Sequence, residues 1–594
     1  MALLAFGMGL AAPFIFDDIV FIKNNDWLGL DKISYFFQTF QPTSSQSFIG
    51  YRPLTMISLA LDHELYGLKP WGFRLTNITL HVFNAFLVYL FVKQTKIFSK
   101  RPWGTFFAYV VSALFLVHPI QTSCIFLVWK RSTLLIALGS LLSLYAFGRW
   151  YQQRVNTLRY LILGWCGVTV ALLSKETALI LPLVLVLAAL LLWEPQQTKR
   201  RRIAFFYVPL LVCFLVHFIV LFGFQAKFVR DNSVALQSYM PNSMQLDRWD
   251  YLKTQLIVLW KYVQFSFYPV KLHIFHWIRP VDRFLDGRFI AAFIGLGVIL
   301  VGCYQNRRRH PYIVFYTLWS FLFLIPSSSF VPLQMIIDED RLYLPLFSFS
   351  IMLGYIFAFL ISRFSALRYF WVTCICMLIT IYSVHDMARA QEWQDSELLW
   401  ARNIQDYPKD PRPWLNLAIL HSREGHAAKA NMLFEQALKL DSDYPSAIHF
   451  YAEHLLFNQR LDSAKYYYQK SINKEYLVSD STMALGIIAS QQGHMKDAKL
   501  LFEKSLAIRP SNTLAMRNFA LFLETQRKYD QALKWLKKAL LVAPHEAPTQ
   551  FLIARMVYEH HRDIKSARAL LTQLLKQHPD HELAKQLWLK LDQK

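Results

Sequence analysis

Five groups of ionisable residues stand at the edges of apolar runs, and their types suit a group transfer from a phosphate. Asp17 and Asp18 follow the first apolar run directly. Paired acids at a water boundary offer a general base, a metal ligand or a helix cap. Arg52 precedes a rigid turn in Tyr51-Arg52-Pro53-Leu54, where solvation of a loop is its plain alternative. His118-Pro119 ends an apolar run, Lys175-Glu176 fill the short turn Ser174–Thr177, and Arg341 follows the acidic run Asp338-Glu339-Asp340. Interfacial anchoring, mutual solvation and snorkelling are the plain readings of these three. Together the five supply a carboxylate to accept the proton of an attacking hydroxyl. They also supply cations to offset the charge growing on a phosphate leaving group. Moving a sugar from a polyprenyl phosphate needs that set on one face of a membrane, with the lipid tail left in hydrocarbon. A transporter is expected to hold ionisable groups near the bilayer midplane instead. No Gly-rich loop opens a βαβ unit, which disfavours soluble nucleotide-sugar chemistry. Metal use stays open, because two adjacent acids are not a complete coordination shell.

The elements that must position these residues follow from composition. Of 594 residues, 55% are hydrophobic, 48 are Phe and only 17% are charged. That balance excludes a disordered, collagen-like or disulfide-framework chain. The six cysteines (Cys124, Cys166, Cys213, Cys303, Cys374, Cys376) lie in or beside apolar stretches, with no zinc-ligand spacing. Up to about residue 385 the chain is a series of apolar runs long enough to approach the ~30 Å of a bilayer core. Spans are expected at 75–92, 103–118, 132–148, 159–173, 178–193, 203–223, 289–304, 311–326, 342–361 and 369–385. Ala2–Phe16 is an eleventh, or else a signal segment, although it lacks the basic n-region of one.

The net charge of +23 is largely topology. Lys93, Lys96, Lys100 and Arg101; Arg149, Arg154 and Arg159; Lys199 to Arg202; Arg307 to Arg309; and Arg363 and Arg368 all fall in alternate loops, the pattern of cytoplasmic loops. Nucleic-acid binding thereby loses its main support. Leu252–Trp277 carries three lysines and reads as interfacial or re-entrant. Asp17–Arg74, Phe224–Arg288, Ser327–Arg341 and everything after His385 then face outward.

Beyond residue 390 the rhythm changes. Ala418, Ala452, Gly486, Ala520 and Ala554 recur every 34 residues, followed by a ladder of Ala430, Ala464, Ala498 and Ala532 and another of Phe434, Tyr468, Phe502 and Leu536. Small residues allow two helices to cross closely and large ones fill the space between pairs. The period is that of a tetratricopeptide repeat. Five units are expected from Pro411 to Pro579, the last slipping by one residue at Ala567, with a capping helix in Asp580–Lys594. The adjacent His560 and His561 point apart on a helix and read as solvated. The fold class expected is all-α: a membrane domain of about eleven spans over 1–390, then a repeat solenoid over 391–594 whose concave face suits a polypeptide.

Five motifs in order resemble one family. Phe16-Asp17-Asp18; Tyr51-Arg52-Pro53-Leu54 with Arg74-Leu75-Thr76-Asn77 and His81; Leu116-Val117-His118-Pro119-Ile120-Gln121-Thr122; Leu173-Ser174-Lys175-Glu176-Thr177; and Asp340-Arg341-Leu342-Tyr343-Leu344-Pro345 resemble the transmembrane and tetratricopeptide repeat-containing proteins and their bacterial relatives. The resemblance covers nearly the whole chain. It implies a type C membrane glycosyltransferase fold, a polyprenyl-phosphate sugar donor and, in animal members, protein O-mannosylation in the lumen. It carries the catalytic acid to Asp17 and Asp18. Our reading adds Lys175, Arg341 and Arg52 at the donor phosphate, with His118, Glu176 and Asp340 as further candidates. The setting expected is a bacterial inner membrane with periplasmic repeats, or the endoplasmic reticulum membrane with luminal ones. The competing expectation is a membrane-anchored repeat scaffold without catalysis.

Overall fold

The protein is described from a computed structural model covering residues 1–25, 28–37, 51–95, 103–153, 157–231, 246–328, 332–333, 335–544, 546–578 and 581–592, with side chains omitted at 221–231 and 577. Lys96, Lys100, Arg101, Arg154, Pro579, Asp580 and Lys594 of the sequence reading lie outside these residues. Among the described residues every regular element is a helix. Among these residues six helices are long and apolar enough to cross a membrane: Pro70–Gln94, Val128–Gln152, Lys199–Val220, Gly287–Asn306, Pro345–Arg363 and Ser365–Gln394. A bent pair, Gly104–Leu116 with Pro119–Phe126, makes a seventh. Shorter apolar helices at Ala2–Ala11, Leu158–Leu172, Glu176–Leu191 and Pro311–Ser327 occupy the other expected spans.

Two of these shapes trace to proline. The first helix stops at Ala11 because Ala12, which precedes Pro13, is pushed to an extended ψ of 143°. The expected span 103–118 bends by 47° for the same reason, since His118 before Pro119 is extended at ψ 123°.

The helices differ in what surrounds them. In the Val128–Gln152 span 83% of the apolar window is buried, against 6% for Gly287–Asn306 and 11% for Ser365–Gln394. The outer helices therefore present Phe293, Ile294, Val298 and Leu300 outward. An apolar face of that extent needs hydrocarbon around it, which makes this a membrane protein. The core helix meets its neighbour through two glycines: a Cβ on Gly139 would lie 2.4 Å from the carbonyl oxygen of Gly167, and one on Gly167 would lie 2.6 Å from that of Gly139. Small residues at such a crossing let backbones approach. Gly139→Val is expected to destabilise the membrane domain by about 3 kcal/mol, the upper range for overpacking, read as a lower melting temperature in detergent; an unchanged midpoint would contradict this packing.

The repeats are five antiparallel pairs: Pro411–Arg423 with Ala427–Leu440, Pro445–Phe457 with Leu461–Asn473, Val478–Gln491 with Met495–Ile508, Thr513–Thr525 with Tyr529–Val542, and Ala547–Glu559 with Ile564–Gln577. The 34-residue alanines Ala418, Ala452, Ala520 and Ala554 are fully buried, as are Ala430, Ala464, Ala498 and Ala532 of the second ladder. Glu582–Asp592 closes the last face. Between span and array stands Ser396–Asp406, a helix capped by Asp395, which accepts from the amides of Glu397 and Leu398.

That helix also docks on the membrane domain. Phe275 and Trp400 stack beside Trp393 and the first helix. Asn403 donates to the Phe275 carbonyl at 2.9 Å and accepts from its amide at 3.2 Å. The extended segment that supplies Phe275 follows the Arg248–Phe267 helix, which lacks the apolarity of a span.

Candidate active site

The site is built around the carbonyls that follow the first helix. Arg74, fully buried on the Pro70–Gln94 helix, donates to the carbonyls of Pro13 at 2.7 Å, Phe126 at 3.0 Å and Ala12. This clasp ties Ala12–Pro13 to the end of the bent span. Phe16 then turns with φ +49°, a left-handed conformation that is costly for a bulky side chain. Strain of that kind persists where the surroundings over-determine the backbone. It delivers Asp17 and Asp18 in two directions.

Asp18 points inward and is fully buried. Its carboxylate accepts from the amides of Val128 at 3.0 Å and Trp129 at 2.8 Å. These amides open the short helical turn Val128–Lys130 that leads into Arg131–Gln152. Asp18 is thus a helix cap supplied from 110 residues away. Burial pushes its carboxyl up to about 7, against the pull of Arg74 and the two amides.

Asp17 keeps partial contact with solvent and makes no hydrogen bond or ion pair among the described residues. Withdrawal from water pushes its carboxyl up to about 6; Lys130 and Arg52 oppose the rise, and Asp338 and Asp340 add to it. An unengaged carboxylate beside both charges is what a proton acceptor requires.

Around it lies a network of buried charge. Lys130 Nζ stands 2.5 Å from Asp338 and 3.6 Å from Asp340. Lys175 Nζ donates to Asp340 at 2.7 Å and to the Thr133 hydroxyl at 2.7 Å, while Thr133 donates to Asp340 at 2.8 Å. Burial alone would raise Asp340, yet the two lysines hold it well below the usual carboxylate range. Burial and Asp340 push Asp338 up. The Tyr262 hydroxyl accepts from the Asp338 amide at 3.1 Å and fixes this turn. Among the described residues Asp338 and Asp340 each pair with a lysine, and Asp17 does not.

The other sequence candidates take distinct places. Arg52 forms a bidentate pair with Glu176, Nε donating to Oε1 and Nη2 to Oε2, each at 3.0 Å, and lies 5.5 Å from the Trp129 ring centre. This pair borders the network, but it neutralises itself. Arg341 donates to the carbonyls of Met335 at 2.5 Å and Ile336 at 3.0 Å, anchoring the loop before Asp338, and its charge still acts on Asp338 and Asp340. His118 is buried, receives the Ile120 amide at 3.4 Å and donates from its other nitrogen to the Ser266 carbonyl at 3.1 Å. It joins no hydrogen bond or ion pair of the network among the described residues. Glu339, between the two aspartates, faces the opposite way. It accepts from the His273 amide at 2.6 Å and lies 3.0 Å from the His276 ring, in the segment that docks on the Ser396–Asp406 helix.

Two residues absent from the sequence reading are central. Lys130 touches both aspartates, and Arg131, fully buried, pairs with Asp62 at 2.5 Å and donates to Asn77 at 2.8 Å. Lys130-Arg131 lie on the predicted outward side, between expected spans, and two adjacent cations at that boundary were the available signal.

The fold and site define an all-α membrane protein with an acid–lysine centre at one end of its helical domain and a tetratricopeptide solenoid behind it. The relatives are named for one activity. A protein O-mannosyl-transferase of Caenorhabditis elegans is 25% identical over 458 residues, covering 73% of this chain and 61% of its own length. Human protein O-mannosyl-transferase TMTC3 is 22% identical over 647 residues, covering 97% of this chain and 67% of its own. The chain thus spans about two thirds of the length of these curated relatives. Human TMTC2 shares 34% identity over 144 residues, 23% of this chain. No family model matches. The solved tetratricopeptide protein YrrB is 21% identical over 32% of this chain and 96% of its own, with a TM-score of 0.23.

Proposed function

We propose that the chain is a membrane glycosyltransferase that moves a hexose from a polyprenyl-phosphate donor to a hydroxyl of a polypeptide. The observation that carries this reading is the unengaged Asp17 carboxylate beside Lys130, Asp338 and Asp340. In the step, the acceptor oxygen bonds to the anomeric carbon as the bond from that carbon to the donor phosphate oxygen breaks. The acceptor proton passes to Asp17, and the polyprenyl phosphate leaves with the bonding pair. Lys130 and Lys175 offset the charge on that phosphate. A single displacement of this kind inverts the anomeric centre. Arg52 and Glu176 border the donor side, and Asp18 holds Lys130 in register through the capped turn. The names of the relatives support mannose as the sugar and a protein as the acceptor. The concave face of the repeats is suited to binding the acceptor polypeptide or a partner. A type C arrangement with the site and the repeats outward, in a bacterial inner membrane or in the endoplasmic reticulum, agrees with the distribution of cations between spans.

The direct test uses the full chain in lipid nanodiscs with a polyprenyl-phosphate hexose and a Ser/Thr-rich peptide. Hexose on the peptide supports the reading, and its absence with every polyprenyl-phosphate hexose offered opposes it. The base must be ionised to accept a proton, so kcat/KM is expected to fall as pH drops through about 6. The loss approaches tenfold per pH unit below that value. A profile flat from pH 5 to pH 8 would contradict an Asp17 base.

A further inference from the structure

The turn inside the first repeat departs from the others at a buried position. In four successive pairs the first helix closes with the same backbone hydrogen bond: His426 amide to His421 carbonyl at 2.9 Å, Arg460 to Leu455 at 2.9 Å, His494 to Ala489 at 2.8 Å and Lys528 to Leu523 at 2.9 Å. The carbonyl residue is apolar in the second, third and fourth pairs. In the first it is His421, which is 1% exposed. A buried imidazole in a slot otherwise given to Leu or Ala loses hydration and needs polar partners. Gly425, with φ +82°, lets the chain reverse so that Glu424 and His426 come back over it.

The three side chains converge on one point. His421 Nδ1 lies 3.3 Å from Glu424 Oε2 and 3.4 Å from His426 Nδ1, and His426 Nδ1 lies 3.4 Å from the same Glu424 oxygen. Such a triangle matches three corners of a tetrahedron: zinc bound at about 2.0–2.1 Å holds its ligand atoms about 3.3–3.4 Å apart. An octahedral magnesium at a similar bond length would need about 2.9 Å and prefers oxygen. For Nδ1 to face the centre as a ligand, the proton of His421 must sit on Nε2. Among the described residues that nitrogen has no hydrogen bond, and it stands 3.6 Å from Glu397 Oε1, itself held by Lys429 at 2.7 Å. A carboxylate behind a histidine is the usual support of a metal ligand. The other carboxylate–histidine group, Glu524 with Glu559 and His560, already gives Glu524 to Arg555 at 2.6 Å.

We propose that His421, Glu424 and His426 bind a zinc-class divalent cation, with the fourth tetrahedral position open to solvent. Glu424 and His426 are exposed, so the ion is reachable from outside. Glu397 of the Ser396–Asp406 helix stands behind His421 at 3.6 Å, on the side away from the ion.

The test is zinc binding by the full chain, purified without a polyhistidine tag and stripped with chelator. Bound zinc is counted by mass spectrometry of the desalted protein, and the melting temperature is followed on adding zinc chloride. The expected result is one zinc per chain at micromolar zinc and a raised melting temperature. His426→Ala and Glu424→Gln, both at exposed positions, are expected to weaken binding at least about tenfold. His421→Leu restores the residue of the second and fourth pairs, so it is expected to fold without zinc and to bind none. His560→Ala should bind as the wild type does. Failure of the wild-type chain to take up zinc, or equal affinity in the wild type and His426→Ala, overturns the site.

Discussion

Asp17→Asn is expected to lower sugar transfer by about 10²- to 10⁴-fold, the usual contribution of a general base, while the melting temperature stays close to wild type. Asp17 makes no hydrogen bond or ion pair among the described residues, so an amide of the same shape leaves no partner unsatisfied. Its neighbour should behave in the opposite sense. Asp18→Ala strands the buried amides of Val128 and Trp129 and removes the anion beside Arg74. An unsatisfied buried group costs about 1–3 kcal/mol, so Asp18→Ala should lower the melting temperature first and activity as a consequence. Transfer assays and thermal unfolding on the two single variants separate these roles. Equal loss of stability in both would mean that the acidic pair is one structural unit.

Asp340→Ala is expected to cost about 3–5 kcal/mol, the range for removing one partner of a buried ion pair. The carboxylate is 3% exposed and compensates Lys175 at 2.7 Å and Lys130 at 3.6 Å. Without it, Lys175 loses its ion-pair partner, while Lys130 keeps Asp338 at 2.5 Å. Replacing both members by apolar residues, Asp340→Leu with Lys175→Met, should recover part of the stability, because no uncompensated charge remains on Lys175. Activity should not return, since a cation assigned to the phosphate is gone. Unfolding midpoints of the two singles and the double give the coupling. Additive losses would show that the pair contributes nothing as a pair.

The sequence carried the helical class and the repeat ladder because both are periodic signals. The 34-residue recurrence needs no knowledge of contacts, and its alanines are the buried crossing points of the helix pairs. The acidic pair, Lys175 and the Asp338–Arg341 run were legible as charges at the edges of apolar runs. What those charges touch was not. Asp17 and Asp18 look alike in sequence and part company because Phe16 turns left-handed between the Arg74 clasp and the capped turn. Asp338, Glu339 and Asp340 are three consecutive acids. The short turn sends the first and third to the lysines and the second to the segment that docks on the Ser396–Asp406 helix. Lys130 escaped notice because its partners lie 208 and 210 residues away, and charge partners at that separation leave no local pattern. Arg341 was legible as a cation at the edge of an apolar run, whereas its bonds to the Met335 and Ile336 carbonyls leave no sequence signal, because any residue supplies a carbonyl.

The measurement that bears most directly on the reading is intact-glycopeptide mass spectrometry of the outward compartment in cells carrying wild type, a deletion of the gene, or Asp17→Asn at matched expression. Loss of hexose from the same Ser/Thr sites in the deletion and in Asp17→Asn is the result expected of a transferase with Asp17 as its base. If Asp17→Asn keeps every glycan that the wild type makes, the acid is not catalytic and the chain is better understood as a membrane-anchored repeat scaffold.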